Sequence, residues 1–154
     1  AAMEGNLRIV QLLLECPGID VNSSGKDGRT PLMEASFNGH LQIVQLLLAC
    51  SGIEVNAVDE EGWTALMFSS LHRDGTSAEV TRLLLESPGI DVSMKNLNGD
   101  SALILAANLF WSSLGKLRTL VGFRGIDLDI RDAQGKNVLM TSIGTGRQDM
   151  VEML

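Results

Sequence analysis

The sequence predicts an all-α fold, a solenoid of stacked helix-turn-helix units joined by hairpin-like connectors. Three observations predict it. Residues 1–28 align with residues 35–62 at an offset of 34 without a gap, and 15 of the 28 positions are identical. Gly28, Gly62, Gly99 and Gly135 recur at intervals of 34, 37 and 36 residues. Each interval holds a Leu-rich run whose apolar residues fall at helical spacing, as in Leu41, Val44, Leu47 and Leu48. A period near 34 is the signature of one small unit stacked many times.

Each element of the unit has a local reason. Two residues after each marker glycine come Thr30, Thr64, Ser101 and Asn137, all types whose side-chain oxygen accepts from a free backbone N–H at a helix start. Pro31 follows the first of them, where a proline loses no hydrogen bond. First helices are expected over Leu32–Asn38, Leu66–Leu71, Leu103 to about Phe110, and Leu139–Gly144. Their middles are small (Ala35-Ser36, Ser69-Ser70, Ala106-Ala107, Ser142), which lets neighbouring helices approach closely. After the second helices, Gly18, Gly52, Gly89 and Gly125 are expected to end them as C-terminal glycines. From Asn22, Asn56, Ser93 and Asp129 it is always six residues to the next marker glycine, so the connector has a fixed length.

Gly-Arg-Thr-Pro-Leu at 28–32, Gly-His-Leu-Gln-Ile-Val-Gln-Leu-Leu-Leu at 39–48 and Ile-Asp-Val-Asn at 19–22 resemble the ankyrin repeat. The resemblance covers the whole chain as one domain, 1–154: a partial repeat (1–27), full repeats (28–61, 62–98, 99–134) and a truncated one (135–154). It reads as a fragment of a longer array, so apolar surface is expected at both ends: Met3, Leu7 and Val10 at one, Ile143, Met150 and Met153 at the other. One departure is Met33, Met67, Ile104 and Met140 where the family usually has His, and the hydrogen bonds of that His are expected to be lost. Extra residues between the helices fall near Arg73–Thr76, where Thr76-Ser77-Ala78-Glu79 reads as a capping box, and near Trp111–Ser113.

Net charge is −7, against the basic stripe of a nucleic-acid binder and against an anionic membrane surface. No run of 18 apolar residues spans a bilayer. Cys16 and Cys50 stand one repeat apart. Packed helices lie about 8–10 Å from each other, and a disulfide needs Cα atoms within about 7 Å. Two free thiols are expected, fitting a cytoplasmic or nuclear location.

The sequence offers little for chemistry. His40, His72, Cys16 and Cys50 are separated by gaps that match no zinc module. Gly25-Lys26 and Gly135-Lys136 lack the rest of a phosphate loop. Asn96-Leu97-Asn98-Gly99 lacks the acidic ends of a calcium loop. No nucleophile-base arrangement is evident, so no catalytic, cofactor-binding or metal residue is expected and the chain is not read as an enzyme.

The resemblance implies a scaffold that binds another protein on the concave face made by connector tips and first helices. The matching positions are Arg29, Glu60, Glu61, Trp63 and Asp100 on tips, and Glu34, Phe37, Phe68, Leu71 and Leu105 on helices. Asp59-Glu60-Glu61 makes the second tip acidic, with Trp63, Phe68 and Phe37 as an apolar patch beside it. The expected partner is a segment with basic and apolar residues, and the chain is expected to be a monomer. Two other readings stand. Leu14-x5-Asp20-Val21-Asn22 and Leu48-x5-Glu54-Val55-Asn56 resemble sites of an asparaginyl hydroxylase, making Asn22 and Asn56 candidates for modification. The repeats could also be a regulatory module of a larger enzyme, channel or receptor. Leu109-Phe110-Trp111 reads as packing in a divergent repeat.

Overall fold

A computed structural model describes residues 1–71, 77–108 and 114–152. Among them are nine helices and no strand: α1 (Leu7–Leu14), α2 (Pro31–Phe37), α3 (Leu41–Leu48), α4 (Ala65–Leu71), α5 (Ser77–Leu85), α6 (Ala102–Asn108), α7 (Leu114–Val121), α8 (Val138–Gly144) and α9 (Gln148–Val151). They stack in two rows. One row packs α2 on α4, α4 on α6 and α6 on α8; the other packs α1, α3, α5, α7 and α9 in succession. Within each unit the two helices pack on each other, α2 on α3 through α8 on α9. The insertions near Arg73–Thr76 and Trp111–Ser113, the Thr76 capping box, His72, Leu109-Phe110-Trp111 and Met153 lie outside the described residues.

The four expected caps form. Thr30 Oγ1 accepts from Met33 N at 3.4 Å, Thr64 Oγ1 from Met67 N at 3.2 Å, Ser101 Oγ from Ile104 N at 3.4 Å, and Asn137 Oδ1 from Met140 N at 3.0 Å. Each first helix therefore starts at the residue after its cap, one earlier than the apolar pattern suggested. One expected loss does not occur, because Thr30 N donates to the Met33 sulfur at 3.4 Å, a thioether being a weak acceptor. The glycines after the second helices correct another expectation. Helices α1, α3, α5 and α7 already end at Leu14, Leu48, Leu85 and Val121, four residues earlier. Gly18 instead completes a separate turn in which Ile19 N donates to Cys16 O at 3.3 Å.

The small first-helix residues form the seam. Ala35, Ser36, Ser69, Ser70, Ala106, Ala107 and Ser142 are fully buried. Ser69 Oγ donates to Leu66 O at 2.8 Å and lies 3.0 Å from Thr81 Oγ1, so this polar group satisfies itself inside the core. His40 joins two units: its Nε2 donates to Met3 O at 3.0 Å, and its ring fills the space beside Gly5, where a Cβ would come within 2.6 Å. Lys116 is fully buried at the register position that holds Ile43 and Val80 in the preceding units. Its Nζ donates to Ser70 O at 3.4 Å near the C-terminus of α4, the negative end of that helix dipole.

Unit stacking decides what the ends bury. Ile43 is 2% exposed under α1, whereas Ile9, its counterpart one unit earlier, is 44% exposed. Met3 and Ile143 are exposed as expected, but Val10 and Met150 are buried, since α1 packs on α3 and α9 packs on α7 and α8. Leu12, Leu13, Leu139 and Met140 supply the rest of the apolar end surface. Both cysteines are free, with thiols donating to Leu12 O and Leu46 O one turn back.

Candidate protein-docking surface

The connectors end in four tips of one design. The first residue's N–H donates to the fifth residue's carbonyl in each: Gly25 to Arg29 at 3.0 Å, Asp59 to Trp63 at 3.1 Å, Asn96 to Asp100 at 3.0 Å and Asp132 to Lys136 at 2.9 Å. In three tips a side-chain oxygen locks the turn. Asp59 Oδ1 accepts from Glu61 N and Trp63 N at 3.0 and 2.8 Å, Asn96 Oδ1 from Asn98 N and Asp100 N at 3.0 and 2.9 Å, and Asp132 Oδ1 from Gln134 N and Lys136 N at 2.9 and 2.8 Å. Asx side chains mimic backbone in such turns. In the first tip Gly25 holds that position, and Asp27 Oδ1 accepts from Arg29 N at 3.3 Å. Successive tips are tied by Glu60 N to Asp27 O at 3.2 Å and Leu97 N to Glu61 O at 2.9 Å.

Asn22 and Asn56 perform the same joining role one step further back. Asn22 Nδ2 donates to Gly52 O at 2.8 Å and its Oδ1 accepts from Glu54 N at 3.0 Å. Asn56 Nδ2 donates to Gly89 O at 2.7 Å and its Oδ1 accepts from Asp91 N at 2.9 Å. Ser93, at the third such position, turns back on Asp91 instead. Those hydrogen bonds, side chain first and then backbone, hold the Asp91 carboxyl below its ordinary value.

The aromatic residues meet as expected, but around a cation. Phe37 and Phe68 lie edge to face with centroids 5.8 Å apart, and Trp63 stacks on Phe68 at 5.3 Å. The Arg29 guanidinium sits 4.5 Å from the Phe68 centroid and 5.7 Å from that of Phe37. Around it are Asp27 at 3.4 Å, Glu34 at 3.6 Å and Asp59 at 3.8 Å. Arg29 is thus held by ring quadrupoles and carboxylates together.

Two residues expected on the surface are not there. Phe68 is 3% exposed and Leu105 6%. Both stand four residues after their caps, a position that points into the seam between consecutive first helices. Asp59 is also buried, because its carboxylate closes the turn; Glu60 and Glu61 alone carry exposed charge on that tip. Of the remaining expected residues, Phe37 is exposed, and Arg29, Glu34, Trp63, Leu71 and Asp100 are half-buried. Leu97 at the third tip is 80% exposed, an apolar residue held in water by the turn around it. It lies in sequence between two asparagines, the one signal that it would stand at an apex. Burial and then the charge of Asp132 hold the Asp100 carboxyl above its ordinary value.

Paired helices in two rows, joined by stacked tips, define a helical-repeat solenoid. A family model described as ankyrin repeats (3 copies) matches residues 1–96. The chain belongs to the ankyrin repeat family. Comparison with curated proteins finds no match. Ankyrin repeats generally mediate protein–protein interaction, and the family is typically a non-catalytic module. The described residues beyond 96 follow the same plan, with the Asn96 and Asp132 turns and the Ser101 and Asn137 caps formed. Among the described residues no helix is long and apolar enough to cross a membrane.

Proposed function

We propose that the chain is a docking module that holds a basic and apolar segment of another protein against its tips and first helices, on the concave side of the stack. The observation that carries this reading is the juxtaposition at the first two tips. Exposed Phe37 and half-buried Trp63 both pack on Phe68, and Glu60 and Glu61 are exposed on the tip that ends at Trp63. Arg29 is already neutralised by Asp27, Glu34 and Asp59, so it does not cancel the two glutamates. Aromatic anchors beside a charged rim are the composition of interface hot spots. The asparaginyl-hydroxylase reading has less support, since the amides of both Asn22 and Asn56 bridge adjacent units on both donor and acceptor sides.

The test is selection of peptides from a random displayed library on the chain. Selected sequences should combine Lys or Arg with aromatic or large aliphatic residues. Exposed ion pairs contribute about 0.2–1 kcal/mol each, and reversal replaces attraction by repulsion. Glu60→Lys with Glu61→Lys should therefore weaken binding by at least about 4-fold. Peptides that bind the double variant as well as the original chain would remove the proposal.

A further inference from the structure

The tips carry charges that the chain does not pair with each other. The first tip is balanced, with Arg29 held among Asp27, Glu34 and Asp59. The second is not. Glu60 and Glu61 are exposed, and among the described residues no cation lies within ion-pair distance of either. Beyond them stand three exposed cations, Lys95, Arg131 and Lys136. They belong to the same row of tips. The Lys95 ammonium donates to Arg131 O at 2.7 Å, joining the third connector to the fourth. Arg131 Nη1 donates to Gly135 O at 2.7 Å, on the fourth tip. Lys136 closes that tip through its backbone N–H and carbonyl.

The hydrogen bonds of Lys95 and Arg131 go to neutral carbonyls, which orient the two cations and leave their charge in place. Among the described residues no carboxylate lies within ion-pair distance of Lys95, Arg131 or Lys136. The acids of the third and fourth tips are turned to other tasks. Asp100 and Asp132 are half-buried, and one Asp132 oxygen accepts from two N–H groups of its own turn. Asp129, exposed at the start of the fourth connector, accepts from the Asn137 amide at 3.1 Å. On the tips themselves the exposed charge therefore passes from acid at the second to base at the fourth. Leu97 stands between the two sets. It is 80% exposed, and its N–H donates to Glu61 O at 2.9 Å, which fixes it beside the acidic tip.

We propose that the docked segment is bipartite: basic residues over Glu60 and Glu61, a large apolar residue on Leu97, and acidic residues over Lys95, Arg131 and Lys136. The inference rests on the docking function proposed above and adds an acidic half, a polarity and a register to the partner. Packed helices, and with them successive units, lie about 8–10 Å apart. An extended segment rises about 3.3 Å per residue. About three residues therefore span one unit, and the basic, apolar and acidic positions of the segment fall about three residues apart. Complementary charges of this kind fix register and reject wrong partners more than they raise affinity. The effect to measure is discrimination between segments.

The probes are the peptide Ac-Lys-Arg-Gln-Gln-Leu-Gln-Gln-Glu-Glu-amide and the same peptide with both glutamates replaced by glutamine. Each is titrated into the ¹⁵N-labelled chain at physiological ionic strength, where charges are screened beyond about 8 Å. The chain carries −7 overall, so attraction to its mean charge favours the second peptide, the more basic of the two. A bipartite surface favours the first, by at least about twofold. Lys136→Glu should weaken the first peptide by at least about twofold and leave the second unchanged. Leu97→Gln should weaken both. A nitroxide on the acidic end of the first peptide should broaden the amides of Ala133, Gln134 and Lys136 and spare those of Lys26 and Asp27. Each variant is checked for folding by its own spectrum. Equal or tighter binding of the second peptide, an equal response of both to Lys136→Glu, unaltered affinity in folded Leu97→Gln, or broadening centred on the first tip would each overturn the bipartite segment. So would the absence of saturable binding by either peptide. If the bipartite segment fails while Glu60→Lys with Glu61→Lys still weakens both peptides, the docking reading stands. If that double variant binds both peptides as well as the original chain does, the docking reading falls and the bipartite segment with it.

Discussion

Replacing Gly99 and Gly135 separately by alanine tests whether adjacent tips are in hard contact. Both glycines have left-handed backbone, with φ of +80° and +75°. An alanine in that region costs about 1–2 kcal/mol. Alanine also narrows the unfolded chain, which returns about 0.4–1 kcal/mol. These two effects are common to both sites and cancel in the difference. What remains is the neighbour. A Cβ on Gly99 would lie 2.8 Å from Ala133 N and 3.1 Å from Ala133 Cβ, whereas one on Gly135 meets nothing within 4 Å. The nearest atom is backbone and the Cβ is fixed to it, both held by the Asp132 turn, so they cannot swing aside as the end of a long side chain would. Overpacking of this kind costs about 1–3 kcal/mol. Gly99→Ala should therefore be destabilised beyond Gly135→Ala by about 1–3 kcal/mol, read from urea unfolding followed by circular dichroism. Equal losses in the two variants would refute the claim that one tip seats the next.

Three further outcomes follow from the same geometry. Phe68→Ala should cost about 3–5 kcal/mol, because it empties the buried centre on which Trp63 stacks and over which Arg29 lies; a shift of the urea midpoint equivalent to less than about 1 kcal/mol would contradict its burial. Asn56→Ser substitutes the residue found at the Ser93 position and breaks two bonds to the next unit. It should cost about 1–2 kcal/mol and speed hydrogen exchange at the Asp91 amide; unchanged exchange there would show that the bridge is not populated. The Asp100 carboxyl is held above its ordinary value by burial and then by Asp132, so the folded chain binds that proton more tightly than the unfolded chain. Its contribution is present below the unfolded pKa of about 3.9 and is lost as pH rises through the higher folded value. Asp100→Asn should thus be more stable than the original at pH 7, with the gap closing below about pH 4; a gap of the same size at both ends of the titration would contradict this.

The repeat plan was legible because its signals are local. Thr30, Thr64, Ser101 and Asn137 cap helices through atoms three residues away, and the fixed connector length needs only one turn design. The docking surface was legible in part. Position four after the cap reads as an outer helix residue in one repeat, yet Phe68 and Leu105 are buried by helices contributed from neighbouring units. Asp59 read as one of three acids that make the tip acidic, but one of its carboxylate oxygens accepts from two backbone N–H groups of its own turn. Lys116 carried no signal at all, since the α4 carbonyl to which its buried ammonium donates lies 46 residues away in sequence.

Period, caps, turn glycines and the small residues of the seam all act within a few residues of themselves, so residue order alone specifies the unit and commits the chain to stacking. Which side chains meet solvent is a different matter. It depends on the unit before and the unit after: Ile9 and Ile43 are the same residue at the same place in the repeat, and only the presence of α1 above the second separates an exposed isoleucine from a core one. The surface on which function rests is therefore set by neighbours in space, through burial and shared hydrogen bonds that no single repeat contains.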